Sequence, residues 1–397
     1  MKKVREGYKM TDLGEIPESW NLRMIREVVN INPESLGNKT NKDFILNYID
    51  IESVSTGVIN NTKVYSFDEA PSRARRKVRK NDVIISTVRP YLKAFAIVKD
   101  DLENLVCSTG FAVLRAKENI EFQYIYQCTL SDGFLNQLSN KMVGSNYPAV
   151  NSTDIQETLI PVPPLNEQQK IASMLSSVDQ QIEITDNLIE KTKELKKGLM
   201  QKLLTKGIGH TKFKDTEIGR IPEEWEVKDL GEVFKLSSGN FLSQKNIVLG
   251  EYPVYGGNGI TGYHNQYLIE ESKIVIGRVG AKCGCVCISE PKSWITDNAL
   301  FISDEITKFE ITFMFYLLGY LNLNQFANQN AQPVISGQKI YQLKVPLPDY
   351  IEQQKISAIL LSVDNQIEKY ESKRESLQTL KKGLMQKLLT GKIRVKV

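Results

Sequence analysis

Six of the eight residues from 73 to 80 are cationic: the run RARRKVRK holds Arg73, Arg75, Arg76, Lys77, Arg79 and Lys80. Arg89, Tyr91 and Lys93 follow in VRPYLK. Cations at this density suit the phosphates of nucleic acid, and an arginine fork can also read a guanine edge in the major groove. A solvated surface is the other use of such a run. A second polar set lies in YGGNGITGYHNQY at 255–267 and GRVGAKCG at 277–284. There Asn258, Tyr263, His264, Asn265, Arg278 and Lys282 offer donors, acceptors and stacking faces, although an ordinary long turn would read the same way.

Raw material for catalysis is scarce. His210 and His264 are the only histidines, which leaves almost nothing for a His-based metal site or triad. Cys283, Cys285 and Cys287 alternate, as on one face of a strand, whereas zinc sites use CxxC-type turns. GRVGAKCG has neither the spacing of a dinucleotide loop nor the Lys-Ser/Thr ending of a P-loop. No Asn/Asp-Pro-Pro-aromatic motif of adenine methyltransferases is present, and Pro348–Asp349 leads directly into IEQQK rather than into a nuclease pattern. The expectation is a chain without catalytic, metal or cofactor site.

The elements that must position these residues come in two copies. TDLGEIPESW at 11–20 returns as TEIGRIPEEW at 216–225, and the 39 residues from 167 return from 352 with about 24 identities. The first pair is 205 residues apart and the second 185, so the intervening segment of the second copy is 20 residues shorter. Segments 21–160 and 226–345 differ in sequence yet show the same order of apolar runs. DVIIST, KAFAIV and GFAVLRA in one, and SKIVIG, CVCISE and ALFIS in the other, predict strands. Residues 121–138 and 311–322 predict helices, so both segments predict one α/β fold.

The near-identical stretches predict long helices. Ile171, Leu175, Val178, Ile182 and Ile189, then Leu195, Leu199 and Leu203, form a heptad-like stripe. Its second copy is Ile356, Leu360, Val363, Ile367 and Tyr370, then Leu377, Leu380, Leu384 and Leu388. LIPVPPL and KVPLPDY, rich in proline, bar an earlier start. A helix of 39 residues is about 58 Å long, more than a flanking domain covers, so the stripes predict an intramolecular antiparallel coiled coil. Gly198 and Gly383 interrupt the helices at equivalent positions, as close approaches of another backbone or as tolerated weak points.

Composition fits a soluble intracellular protein of two or three domains. The chain has 397 residues, 41% hydrophobic and 25% charged, with a formal charge of +4. Five cysteines and no secretory leader point to a reducing compartment, and no apolar run could span a bilayer. A cytoplasmic location without membrane partner is expected.

Two Gly-x-Ile-Pro-x-x-Trp motifs, Gly14–Trp20 and Gly219–Trp225, and two Pro-x-Pro-x-x-x-Glu-Gln-Gln-x-Ile motifs, from Pro161 and Pro346, span essentially the whole chain. In this arrangement it resembles the specificity subunits of Type I restriction–modification enzymes. The resemblance implies target-recognition domains at 1–164 and 208–349, and spacer and docking helices at 165–207 and 350–397. It implies double-stranded DNA as ligand, read as a split asymmetric target, one half-site per domain. It implies two modification subunits, which carry S-adenosylmethionine, and restriction subunits, which use ATP, with neither cofactor bound by this chain. Trp20 and Trp225 are expected as core anchors. A coiled-coil scaffold without DNA role and a self-sufficient DNA-modifying enzyme are the competing readings.

Overall fold

The computed structural model describes residues 4–144, 146–243, 248–328 and 333–396. They form two compact units, Met1–Thr185 with Lys373–Val397, and Asp186–Ser372. Both units begin alike. Tyr8–Thr11 pairs antiparallel with Gly14–Pro17, and Phe213–Thr216 with Gly219–Pro222. Each two-residue turn ends on a glycine at positive φ, Gly14 at 96° and Gly219 at 107°, which explains the glycine of the repeated motif. The next strand closes the repeat on itself: Asn21–Met24 pairs with Leu159–Val162, and Glu226–Asp229 with Lys344–Leu347. The prolines therefore sit in two-stranded ribbons, where a missing N–H is tolerated.

In the first unit a four-stranded antiparallel sheet runs Phe95–Ile97, Val83–Ser86, Phe111–Ala116, Val29–Ile31. A second sheet runs Lys63–Ser66, Ile45–Ile49, Leu105–Ser108, Ala74–Lys77, with its middle pair parallel. The second unit repeats the first sheet in the same order: Val286–Ile288, Ile274–Gly277, Ala299–Glu305, Phe234–Ser238. Its other sheet has three strands, Gly259–His264, Tyr252–Gly256, Trp294–Ile295, again with one parallel pair. Among the described residues it has no counterpart of Ala74–Lys77 or of the Val54–Ser55/Val58–Ile59 hairpin. Those extra elements account for the longer first copy.

Most expected elements are present, with two differences. The helix expected over 121–138 is two helices, Phe122–Leu130 and Asp132–Ser139, because the Ser131 hydroxyl accepts from Phe134 N and restarts the chain. Of the three alternating cysteines only Cys287 lies in a strand, Val286–Ile288; Cys283 is buried in the preceding turn. No group of His, Cys, Asp and Glu among the described residues could hold a metal.

The long helices are Leu165–Lys206 and Tyr350–Leu388. In the first unit Ile171 and Leu175 of the central helix pack in one core with Leu388 and Leu389 of the other, beside Trp20, Phe95 and Tyr124. Lys381 pairs with Asp179 at 2.6 Å. In the second unit Leu203 and Leu204 share a core with Ile356 and Leu360, beside Trp225 and Phe313, and Lys196 pairs with Asp364 at 2.6 Å. Within each unit residue numbers rise along one helix as they fall along its neighbour, which is the expected antiparallel coiled coil. Leu195 and Leu380 depart from the stripe: they are 55% and 50% exposed. No helix among the described residues is long and apolar enough to cross a membrane.

Candidate nucleic-acid interface

The basic run 73–80 lies between the turn at 72–73 and the strand Val83–Ser86, and its middle, Ala74–Lys77, is itself a strand at the end of its sheet. Ala74–Lys77 pairs with Leu105–Ser108, Arg76 lying opposite Cys107. Its charges obscure the strand signal, since neither face reads as apolar. Most of its cations are engaged by the fold. Glu34 takes Arg79 at 2.6 Å, Arg115 at 2.6 Å and Lys77 at 3.9 Å, while Arg115 also grips Asp82. The Arg115 hydrogen bond, supported by Arg79, holds Glu34 below its ordinary pKa against the opposing effect of burial. Exposed Lys80 lies 3.7 Å from Asp101. The Arg75 guanidinium covers the Phe67 ring at 4.6 Å. Arg76 is half-buried, its burial lowers its pKa, and one buried guanidinium nitrogen has no hydrogen-bond partner among the described residues. Arg73 is exposed in the turn before the strand and takes part in no ion pair among the described residues.

Backbone bonds draw Arg73 toward the VRPYLK loop. Thr109 N donates to Arg73 O at 2.9 Å, and Gly110 O accepts from Thr87 N at 2.8 Å. Past Thr87, Arg89 and Lys93 adopt left-handed backbone around the short turn Pro90–Leu92. The Arg89 guanidinium lies 4.9 Å from the centroid of Tyr147 and donates to Asn146 O at 2.9 Å. Tyr147 is 72% exposed and Tyr91 47%. Lys93 points elsewhere: its ammonium donates to Leu130 O at 3.3 Å, at the end of the helix Phe122–Leu130, where a cation complements the helix dipole. One rim of this unit thus gathers Arg73, Arg89, Tyr91 and Tyr147.

In the second unit Asn258 is the exposed tip of the hairpin Tyr252–Gly256/Gly259–His264. The tip rests on the Arg278 segment so closely that a Cβ on Gly277 would collide with Gly257 O. Gly277 N in turn donates to Cys285 O, folding the Lys282 turn back beside it. Asn258, Arg278 and Lys282 therefore share one end. Tyr263 and Asn265, both exposed, lie toward the other end of a strand about 20 Å long. His264 is buried, accepting from Val248 N and meeting Trp294 edge-on, so its part is structural.

The sequence pattern described as "Type I restriction modification DNA specificity domain" matches residues 17–194 and 222–379. The chain belongs to this family. A curated relative, the putative type I restriction enzyme MjaX specificity subunit of Methanocaldococcus jannaschii, is 30% identical over 98% of this chain and 97% of its own. The EcoprrI specificity subunit of Escherichia coli is 26% identical over 86% of each. Two solved structures share the fold. The S subunit of a type I system from M. genitalium has a TM-score of 0.64 at 18% identity, covering 98% of both chains. A chain from a study of assembly and conformational transition in a type I R-M system scores 0.61 at 24% identity, covering 95% of this chain and 99% of that one. The protein is thus a specificity subunit with target-recognition domains.

The specificity subunit carries a further equivalence that its sequence disclosed only faintly. In the first unit Arg89 N donates to Pro148 O and Val150 N to Thr87 O; in the second Gly280 N donates to Pro333 O and Ile335 N to Arg278 O. The clamp aligns Thr87 with Arg278, Arg89 with Gly280, and Pro148 with Pro333. Pro-Ala-Val-Asn at 148–151 and Pro-Val-Ile-Ser at 333–336 were its faint signal, at the 185-residue offset of the helices. Tyr147, one residue before the clamp, was missed for that reason. The junction carboxylates were missed as well. Glu167 accepts from Trp20 Nε1 at 3.1 Å and pairs with Arg394; Glu352 accepts from Trp225 Nε1 at 2.8 Å and from Ile208 N at 2.9 Å and contacts His210 Nε2. Both indoles are buried anchors, as expected.

Proposed function

We propose that this specificity subunit reads a bipartite, asymmetric duplex, one half-site per globular part. Residues 1–164 and 208–349 are the readers, and 165–207 and 350–397 set the gap and dock two modification subunits and the restriction subunits. The chain itself is non-catalytic and binds neither S-adenosylmethionine nor ATP. The observation that carries the reading is one strand order used twice, with different side chains at the clamped rim: Arg89 and Tyr147 in one copy, Arg278, Lys282 and Asn258 in the other. Unlike readers on a common frame suit an asymmetric site, because protein symmetry normally mirrors that of the target.

Exchanging residues 21–160 for those of a relative, then sequencing the methylome of a host that expresses the chain with its neighbouring subunits, tests this. One half-site changes and the other and the gap persist; a change in both halves, or in neither, rules the modular reading out. Inserting helical turns near residues 187–193, balanced in the facing helix, alters only the gap.

A further inference from the structure

The two rim loops correspond beyond the clamp. Ser86 N donates to Ala94 O at 3.2 Å and Leu92 N to Arg89 O at 2.9 Å; Gly277 N donates to Cys285 O at 2.8 Å and Cys283 N to Gly280 O at 2.9 Å. Loop 89–93 therefore matches 280–284, with Tyr91 at the place of Lys282 and Ala94 at that of Cys285. Both loops end in left-handed backbone, Lys93 at φ 55° and Gly284 at 84°. In each copy a hairpin tip leans on this loop, and the two hairpins are not equivalent. In the first unit the tip belongs to Val54–Ser55/Val58–Ile59: Thr56 Oγ1 donates to Lys93 O at 2.8 Å, and Gly57 N to Phe95 O at 2.8 Å. In the second it belongs to Tyr252–Gly256/Gly259–His264: Cys285 Sγ donates to Gly257 O at 3.4 Å. Among the described residues that is the only hydrogen bond between 256–259 and 277–285. The seat is tight, since a Cβ on Gly257 would come within 2.8 Å of Val279 O. Thr56 is exposed and Cys285 half-buried, so neither is held in place as a core residue.

We infer that Thr56 and Cys285 are positioning residues, each bracing one reading loop and so setting the discrimination of its own half-site. The inference rests on the half-site reading proposed above and adds to it residues that themselves touch no base. A loop anchored only at its ends lets a long side chain swing, whereas base readout needs the donor fork held in one geometry. The Thr56 hydroxyl fixes the loop that carries Arg89 and Tyr91. The Cys285 thiol fixes the Asn258 tip against the segment that carries Arg278 and Lys282, so that all three side chains keep one spacing. The same task is thus done twice with different chemistry, as expected where two readers diverged on one frame.

Competition anisotropy of the full chain, assembled with the modification subunits it is encoded with, tests this on duplexes altered in one half-site at a time. The exchange of residues 21–160 first fixes which half-site belongs to which reader. Thr56→Val keeps the shape and removes the donor, and lowers discrimination at the first reader's half-site about two- to tenfold while the other half-site is read as before. Cys285→Ala does the converse, toward the lower end of that range because a thiol is a weak donor. Thr56→Ser and Cys285→Ser, which keep a donor, retain more discrimination than valine and alanine, and melting temperatures stay close to wild type. Unchanged discrimination in both Thr56→Val and Cys285→Ala, an equal loss at both half-sites in either, or serine variants no better than the donorless ones overturns the bracing inference alone. A wild-type chain in which the exchange alters both half-sites or neither removes the half-site reading and the braces together.

Discussion

Arg89→Ala separates a reading arginine from a decorative one. In the free chain its guanidinium stacks at 4.9 Å on a tyrosine that is 72% exposed, so the contact contributes about 0.5–1 kcal/mol and its loss barely moves thermal unfolding. For the proposed contact with DNA, the Tyr147 face and the Asn146 carbonyl hold the same side chain ready. A fork aimed at a guanine discriminates by about 1–3 kcal/mol, about a five- to 150-fold loss of affinity for the cognate duplex. If the arginine also neutralises a phosphate, the slope of log K against log salt falls by about one. Arg89→Lys keeps the salt slope but not the discrimination, since an ammonium neither lies flat on a ring nor presents a fork. Tyr147→Ala removes the platform, and its effect is not additive with Arg89→Ala. Fluorescence anisotropy of cognate and scrambled duplexes with the assembled subunits, at two salt concentrations, reads all of these. Full cognate affinity in Arg89→Ala, or full discrimination in Arg89→Lys, refutes the argument.

Glu352→Ala strips the acceptor from the Trp225 indole and from Ile208 N and should destabilise the second unit by about 2–4 kcal/mol; Glu352→Gln, which keeps one acceptor, loses less. Denaturant titration followed by tryptophan fluorescence checks this, and a shift below about 0.5 kcal/mol would contradict it. Because Arg115 and Arg79 hold Glu34 below its ordinary value of 4.5, its contribution is complete above that pH and declines as pH falls through the lower folded value. The stability gap between wild type and Glu34→Gln should therefore narrow only below about pH 4.5, and a gap constant down to pH 3 would disprove the pairing. Burial pushes the Cys107 and Cys128 thiols up to about 12, so both should resist iodoacetamide at pH 8 until the chain unfolds, as peptide mass mapping would show.

What was legible in the sequence follows from where one force dominates. Val83–Ser86 and Phe111–Ala116 announce themselves because buried strands need unbroken apolar runs, and the helices because a striped face needs its heptads. Ala74–Lys77 does not, since an edge strand with Arg75 on an aromatic ring and Lys77 near a glutamate has no apolar alternation to read. The pairing of Glu34 with Arg79, 45 positions away, and the seating of the Asn258 tip beside Arg278 depend on sheet registers that no local pattern encodes. Cation count therefore overstated how much charge the run 73–80 leaves available.

The clamp shows how one scaffold can serve two different half-sites. A strand residue is constrained by neighbours on both faces, so exchanging it disturbs the core; a loop residue whose backbone is pinned at both ends can change its side chain alone. The bonds at Pro148 and Val150, and at Pro333 and Ile335, do the pinning and ask only for backbone groups. Threonine can then stand where the other copy has arginine, and arginine where it has glycine, without moving a strand. Side-chain chemistry at the rim is in this way uncoupled from fold stability, and each copy can change its rim residues without disturbing its sheets.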